Sequence, residues 1–217
     1  MDFSFTSEQE DLRREARAFL EANPSPTSEQ LAELGWSGML ASGEVTFLDA
    51  AVLFEELGRV NYTGPFVHDE VGEDRTALLA ASALEAVGIG AKAVELAVAY
   101  AADREQFGRK IGTYQAVSHA IVDAYVGVEL ARSLAYWAAW AVAEGDEEAA
   151  LACAAAKSRA AEAAVAACEA SIQVHGGIGF TWEHPLHRYY KRALFLESAL
   201  GHGRVHRAEI AASLLRS

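Results

Sequence analysis

Apolar residues recur along this chain at helical spacing, and almost nowhere with the alternation of a half-buried strand. Leu12, Ala16, Phe19 and Leu20 fall on one stripe, while Arg13, Arg14 and Arg17 fall largely outside it. This predicts a first helix beginning at Ser7, with Ser7 and Glu10 as a capping box and Asn23-Pro24-Ser25-Pro26 as its stop. A second, short helix is expected over residues 28–34, with Thr27 and Gln30 as its capping box and Gly35 at its end. A third is expected over 47–57, closed by Gly58.

From residue 73 onward the pattern lengthens. It predicts helices over about 74–104, 114–144, 146–171 and 184–200, then a short terminal helix from about residue 205, with Gly145 marking one of the turns. Between 149 and 170, 13 of 22 residues are alanine, which favours the helix and lets a neighbouring helix approach closely. Gly88 and Gly90 lie inside the first long helix. Each costs about 1 kcal/mol against alanine there, so close packing is their expected reason. Short links between long helices imply antiparallel neighbours. The predicted fold is all-α: a small N-terminal helical segment at 1–70 and an up-down four-helix bundle at 71–217.

Composition narrows the function. The chain has 31 acidic and 18 basic residues, a net charge of −13, which argues against a nucleic-acid surface and requires any bound phosphate to find a local cationic patch. The longest strongly apolar run, about residues 134–143, is short of the ~20 residues that a membrane helix needs. Met1-Asp2-Phe3-Ser4-Phe5 has neither the basic start nor the apolar core of a signal peptide. Cys153 and Cys168, on one predicted helix, would stand roughly 22 Å apart and cannot pair with each other, so a cytoplasmic protein with buried thiols is expected.

Two segments hold most of the candidate chemistry. Arg104 stands where a helix gives way to a loop at 107–113; its guanidinium can take two phosphate oxygens at once, and the alternative is a surface ion pair. Phe107 offers an aromatic face or a core contact, and Gln115 a nearby hydrogen-bonding amide. Further on, Gly176-Gly177-Ile178-Gly179 is a tight turn whose N–H groups can meet an anion without Cβ interference, or can simply connect two helices. His202 and His206 have i, i+4 spacing and His184 and His187 i, i+3, but no motif places a third ligand, so no metal is expected. Tyr136, Trp137 and Trp140 read as core or subunit contact, with an acyl-chain wall as the alternative.

The segments from Arg104-Glu105-Gln106-Phe107-Gly108-Arg109 to Gln115, and from Gln173-Val174-His175-Gly176-Gly177 to Thr181, closely resemble the C-terminal helical domain of the flavin-dependent acyl-CoA dehydrogenases. The first 66 residues resemble that family's N-terminal helices, most clearly in Phe3-Ser4-Phe5, Leu34-Gly35-Trp36 and Glu55-Glu56-Leu57-Gly58-Arg59. The resemblance implies that Arg104, Phe107, Gln115, Gln173, Gly176 and Gly177 face the adenosine and pyrophosphate end of an FAD bound mainly by a neighbouring subunit. It also exposes two gaps. The family's middle β-domain has no counterpart between Phe66 and Glu73, and the two usual positions of the catalytic glutamate fall on Leu200 and near Leu78. Leucine has no ionisable group. Glu197, Glu73 and Asp74 stand about one turn away and read as solvated helix-end carboxylates, Glu197 being a weak candidate base.

Residues 180–192 also look similar to steroid side-chain dehydrogenases of actinobacteria that pair a competent with a degenerate subunit. The resemblance therefore implies a subunit of a hetero-oligomeric acyl-CoA dehydrogenase, with a full-length partner that holds FAD and the acyl-CoA substrate. The alternatives are a non-catalytic helical scaffold that binds a protein partner, and a self-sufficient homo-oligomer with other acyl-CoA chemistry.

Overall fold

A computed structural model describes residues 4–215; the readings made on Met1, Asp2 and Phe3 lie outside them. The described chain is helical almost throughout. α1 (Ser7–Ala22), α2 (Ser28–Glu33), α3 (Met39–Ser42), α4 (Phe47–Arg59) and α5 (Phe66–Val71) come first. The long helices α6 (Arg75–Asp103), α7 (Gln115–Glu144) and α8 (Ala149–His175) follow, then α9 (Leu186–Ser198) and α10 (Gly203–Leu214). A two-stranded hairpin, β1 (Glu105–Gln106) and β2 (Arg109–Lys110), sits between α6 and α7. No β-domain separates the N-terminal helices from the bundle. α5 fills the connection and hands the chain to α6 through Gly72.

The helix starts follow side-chain caps. Thr27 and Gln30 form the expected box on α2. On α1 the box lies one residue earlier than expected: Thr6 has the extended backbone that a cap requires, and it pairs with Gln9, while Ser7 is already helical. α4 has its own box from Thr46 and Asp49, and Gln9 Nε2 donates to Asp49 Oδ1 at 2.7 Å, which ties the two caps together. The bundle helices shift by a few residues from expectation: α8 runs on to His175, α9 starts after Pro185 and α10 at Gly203.

Gly58 does not end its helix. α4 runs through it to Arg59, because Gly58 is where α4 crosses α6. A Cβ on Gly58 would lie 2.2 Å from the Glu85 carbonyl oxygen, and one on Gly88 would lie 2.0 Å from that of Glu55. The backbones touch, so close packing does explain Gly88. Gly90 serves the same end, facing Val128 of α7 and Ala164 of α8.

α8 takes the middle of the bundle. It packs along α6 and α7 and carries α9 and α10 on its remaining sides, and its alanines at 152, 156, 160, 163, 164 and 167 are buried. One apolar core runs from Ala16 to Leu196, across residues 70 and 71. Length and composition would let α6 cross a membrane, a possibility that counting uninterrupted apolar runs passes over; most of its apolar stretch is buried in this core. Cys153 and Cys168 are free and buried, and burial pushes both thiols up to about 12, which leaves them unreactive.

Three buried carboxylates flank the α4–α6 crossing, and each is met by arginine from another helix. Glu55 pairs with Arg132 of α7 and accepts from the Tyr136 hydroxyl at 2.8 Å. Glu56 takes Arg17 of α1 through two nitrogens, at 3.0 and 2.6 Å. Glu85 takes Arg192 of α9 in the same way, at 2.5 and 3.1 Å. Burial outweighs Arg192 in holding Glu85 above the usual carboxylate range.

The crossing predicts opposite outcomes for two glycine substitutions. Gly88→Ala forces backbone apart and should cost at least about 2 kcal/mol. Gly127→Ala, whose Cβ would meet only Arg159 Nη2 at 3.8 Å, should stabilise α7 by about 0.5–1 kcal/mol. Urea unfolding of the two variants measures both signs, and equal effects would refute the close crossing.

Candidate functional site

Arg104 is the residue on which α6 ends. Its N–H still donates to the Tyr100 carbonyl at 2.8 Å, but its own backbone is extended and leads into β1. Glu105 pairs with Lys110 and Gln106 with Arg109, so the segment expected as a loop is a hairpin followed by a 3-10 turn at Ile111–Thr113. Its two-residue tip is Phe107 and Gly108, at φ 53° and 80°. Consecutive left-handed residues are what a tight hairpin of this kind demands, and they suit a glycine better than a phenylalanine. Phe107 is 93% exposed, the tip of a stalk.

The stalk itself is braced. Arg109 stacks its guanidinium over Tyr114 at 3.8 Å, the Tyr114 hydroxyl donates to the Gln106 carbonyl, and Lys110 Nζ donates to the Asp103 carbonyl. Gln115 opens α7 immediately behind it.

α8 ends at Gly176, whose left-handed φ of 62° turns the chain into the 3-10 segment Gly176–Phe180. Gly179 folds back on α8, where a Cβ would come 2.9 Å from the Ile172 carbonyl oxygen; a Cβ on Gly176 or Gly177 would meet nothing within 4 Å. Gln173 is exposed beside them. The two halves of the candidate site are joined underneath by a ring stack. Tyr100, one turn before Arg104, lies 4.4 Å from His175, the residue before Gly176. His175 is buried, donates through Nδ1 to the Ser171 carbonyl at 2.7 Å, and has His184 on its other side. Burial, with His175 and His187 as neighbours, holds His184 below the usual histidine range.

The sequence reading gave neither Tyr100 nor His175 a role, although His175 lies within the quoted glycine segment and Tyr100 one turn before Arg104. The open side is unspent: among the described residues, the side chains of Arg104, Gln115 and Gln173 make no hydrogen bond or ion pair. Phe107 at the hairpin tip, and Phe180 and Trp182 in the segment after the glycine turn, are exposed. A flat, phosphate-bearing group brought from outside fits this donor set. An arginine fork, two amides, an aromatic face and glycine backbone with open space above it are what such a group requires.

The opposite end of the bundle holds the two leucines. Leu200 lies between α9 and α10 at φ 60°, followed by Gly201 at φ 109°. Leu78 is in the first turn of α6, behind Asp74, whose carboxylate is spent on capping Thr76 and Ala77. Glu197 is half-buried and sits near Lys157. Lys157 is buried in α8 and donates to the Leu196 carbonyl at 2.5 Å. Three of the four paired histidines have ring partners: His206 lies between the Gly201 carbonyl and Glu209, His187 contacts the His184 carbonyl, and His184 accepts from the Leu186 N–H, while His202 stands at the N-cap position of α10 without a side-chain cap bond. Tyr136 is buried and bonded to Glu55 and Arg13, and Trp137 and Trp140 pack against the core.

The sequence profile described as "Acyl-CoA dehydrogenase, C-terminal domain" matches residues 78–215, more than half of the chain. Over 131 residues the chain is 39% identical to acyl-CoA dehydrogenase IpdE2 of Mycobacterium tuberculosis, a match covering 60% of this chain and 39% of that protein. The chain thus spans about two fifths of that relative's length. Its fold matches butyryl-CoA dehydrogenase from Megasphaera elsdenii with a TM-score of 0.82 at 16% identity, covering 99% of this chain and 100% of the other. It also matches a chain of the ChsE4-ChsE5 complex from Mycobacterium tuberculosis with a TM-score of 0.81 at 18% identity, covering both chains completely.

Two predictions follow from the geometry of the two ends. Phe107→Gly removes left-handed strain and no packing, so the unfolding free energy should stay level or rise by up to about 1 kcal/mol; a clear loss in thermal unfolding would mean that the ring packs on this chain. Burial pushes Lys157 down to about 8 from an ordinary 10.5, against the opposing pull of Glu197 and Glu85. Between those values the unfolded chain binds more protons, so stability rises with pH across that window and is lost as pH falls through it. Relative to Lys157→Met, the wild type should gain roughly 3 kcal/mol from pH 8 to 10.5; parallel pH curves for the two would show that Lys157 titrates normally.

Proposed function

The chain belongs to the acyl-CoA dehydrogenase family, and from that premise we propose that it is a subunit of a hetero-oligomeric FAD-dependent acyl-CoA dehydrogenase. Its part is to supply the adenosine and pyrophosphate side of a flavin held mainly by a full-length partner. It brings no catalytic base. The observation that carries this reading is the set of unspent groups at the adjoining ends of α6 and α8, combined with the lack of any β-domain between α5 and α6.

Each residue has a task in that arrangement. The Arg104 fork takes the pyrophosphate, and its fixed place at the end of α6 means that little freedom is lost on binding. Gly176 spends its own N–H on the Gln173 and Ile172 carbonyls, so it is at Gly177, with open space above it, that the backbone can approach the same anion. Phe107, held out on a braced hairpin, covers the adenine region, while Gln115 and Gln173 hydrogen-bond its rim. Leu200 and Leu78 can neither take nor give a proton, so proton abstraction falls to a partner carboxylate. The chemistry that FAD supplies in such an assembly is acceptance of hydride from the β-carbon of an acyl thioester as its α-proton leaves. The ChsE4-ChsE5 match supports a two-subunit assembly for this chain, since that relative is itself a complex.

Co-expression with a full-length acyl-CoA dehydrogenase from the same genome tests the proposal. Native mass spectrometry should find a mixed complex with half as many flavins as chains. Arg104→Ala should weaken FAD retention roughly 10- to 100-fold, the loss expected for a charge-assisted phosphate contact, while Glu197→Gln leaves turnover nearly unchanged. One flavin per chain, or no association, would sink the proposal, and a collapse of activity in Glu197→Gln with FAD still bound would make Glu197 the base.

A further inference from the structure

An open groove of about 610 Å³ lies between the turn after α4 and the outward face of α9. Arg188, Lys191 and Arg192, at i, i+3 and i+4, all line it, and no carboxylate does, on a chain whose net charge is −13. Arg188 makes no side-chain hydrogen bond or ion pair among the described residues. Lys191 rests its ammonium over the Trp182 ring at 4.6 Å. Arg192 is already aimed. Its Nε and Nη2 are held by buried Glu85 from behind and its guanidinium lies over Phe195 at 4.8 Å, which leaves Nη1 for another acceptor.

The facing wall adds a second, independent signal. Asn61 lines the groove in the left-handed region at φ 54°, with its amide oxygen buried and without a hydrogen-bond partner. An orphaned acceptor of that kind costs about 1–3 kcal/mol and is relieved by a donor. Ser25 and Thr63 stand beside it, and Tyr189 and Phe195 give the groove aromatic surface.

We infer that this groove binds a phosphorylated small molecule. Its phosphoryl oxygens sit on Arg188, Lys191 and the free edge of Arg192, an N–H or O–H of its body donates to Asn61, and a flat part lies against Phe195. Arg104 and the glycine turn take no part, so this site stands or fails separately from the flavin edge.

The test is titration of inorganic pyrophosphate and of ADP into the full chain by calorimetry at low salt. Both should bind saturably with a dissociation constant below about 1 mM. Arg188→Ala/Lys191→Ala, which removes two groove-lining charges together with the Lys191–Trp182 contact, should lose at least about tenfold in affinity for both. Asn61→Ala should weaken ADP more than pyrophosphate, and Arg104→Ala should change neither. Several results would overturn the inference: no saturation with either probe, affinity unchanged in the double variant, ADP binding lost in Arg104→Ala, or a polyglutamate peptide that binds the groove more tightly than pyrophosphate.

Discussion

Everything in this molecule is arranged around a place where no side chain fits. Gly58 of α4 and Gly88 of α6 bring two helix backbones into contact, and carbonyl oxygens of Glu55 and Glu85 occupy the space where methyl groups would otherwise be. Helices that approach so closely also bury whatever stands beside the contact, and here that is three carboxylates. Burying a carboxylate unpaired is prohibitive, so each must be answered. The answers come from three different helices: Arg132 of α7, Arg17 of α1 and Arg192 of α9. A steric fact about two glycines thereby becomes a specification for how the rest of the bundle assembles. A wrong helix order would leave a charge without its partner, a larger penalty than a misplaced alanine would bring.

The alanine-rich α8 is the complement of that rule. Its small side chains impose little on their neighbours, which allows α6, α7, α9 and α10 all to reach it, but they also distinguish poorly between neighbours. Selectivity is left to the charged contacts and to Lys157, the polar group that α8 sends into its interface with α9.

This division explains what the sequence disclosed. The all-helical fold, the long bundle helices, the Thr27–Gln30 box and the packing role of Gly88 were legible because each rests on residues close together in the chain. Gly58 was misread as a stop, since a glycine that ends a helix and one that lets another helix approach look alike until the other helix is known. The arginine–carboxylate pairs left no trace: Glu85 and Arg192 are 107 residues apart, and neither has a local pattern that names the other. The residues of the proposed flavin edge were singled out through family resemblance alone. The Tyr100–His175 stack beneath that edge was not legible, because two rings on separate helices carry no local pattern that pairs them. The hairpin at 105–110 was missed because two-residue strands are too short to show an alternation.

α6 is a single unbroken helix, and that has an evolutionary consequence. At about 1.5 Å per residue, the stretch from Leu78 to Arg104 sets one end of the molecule roughly 40 Å from the other. Selection can therefore act on the two ends independently. A substitution at the Leu78 and Leu200 end alters nothing that the Arg104 end presents to its surroundings. The chemistry carried at one end of such a rod can change while the geometry at the other is kept.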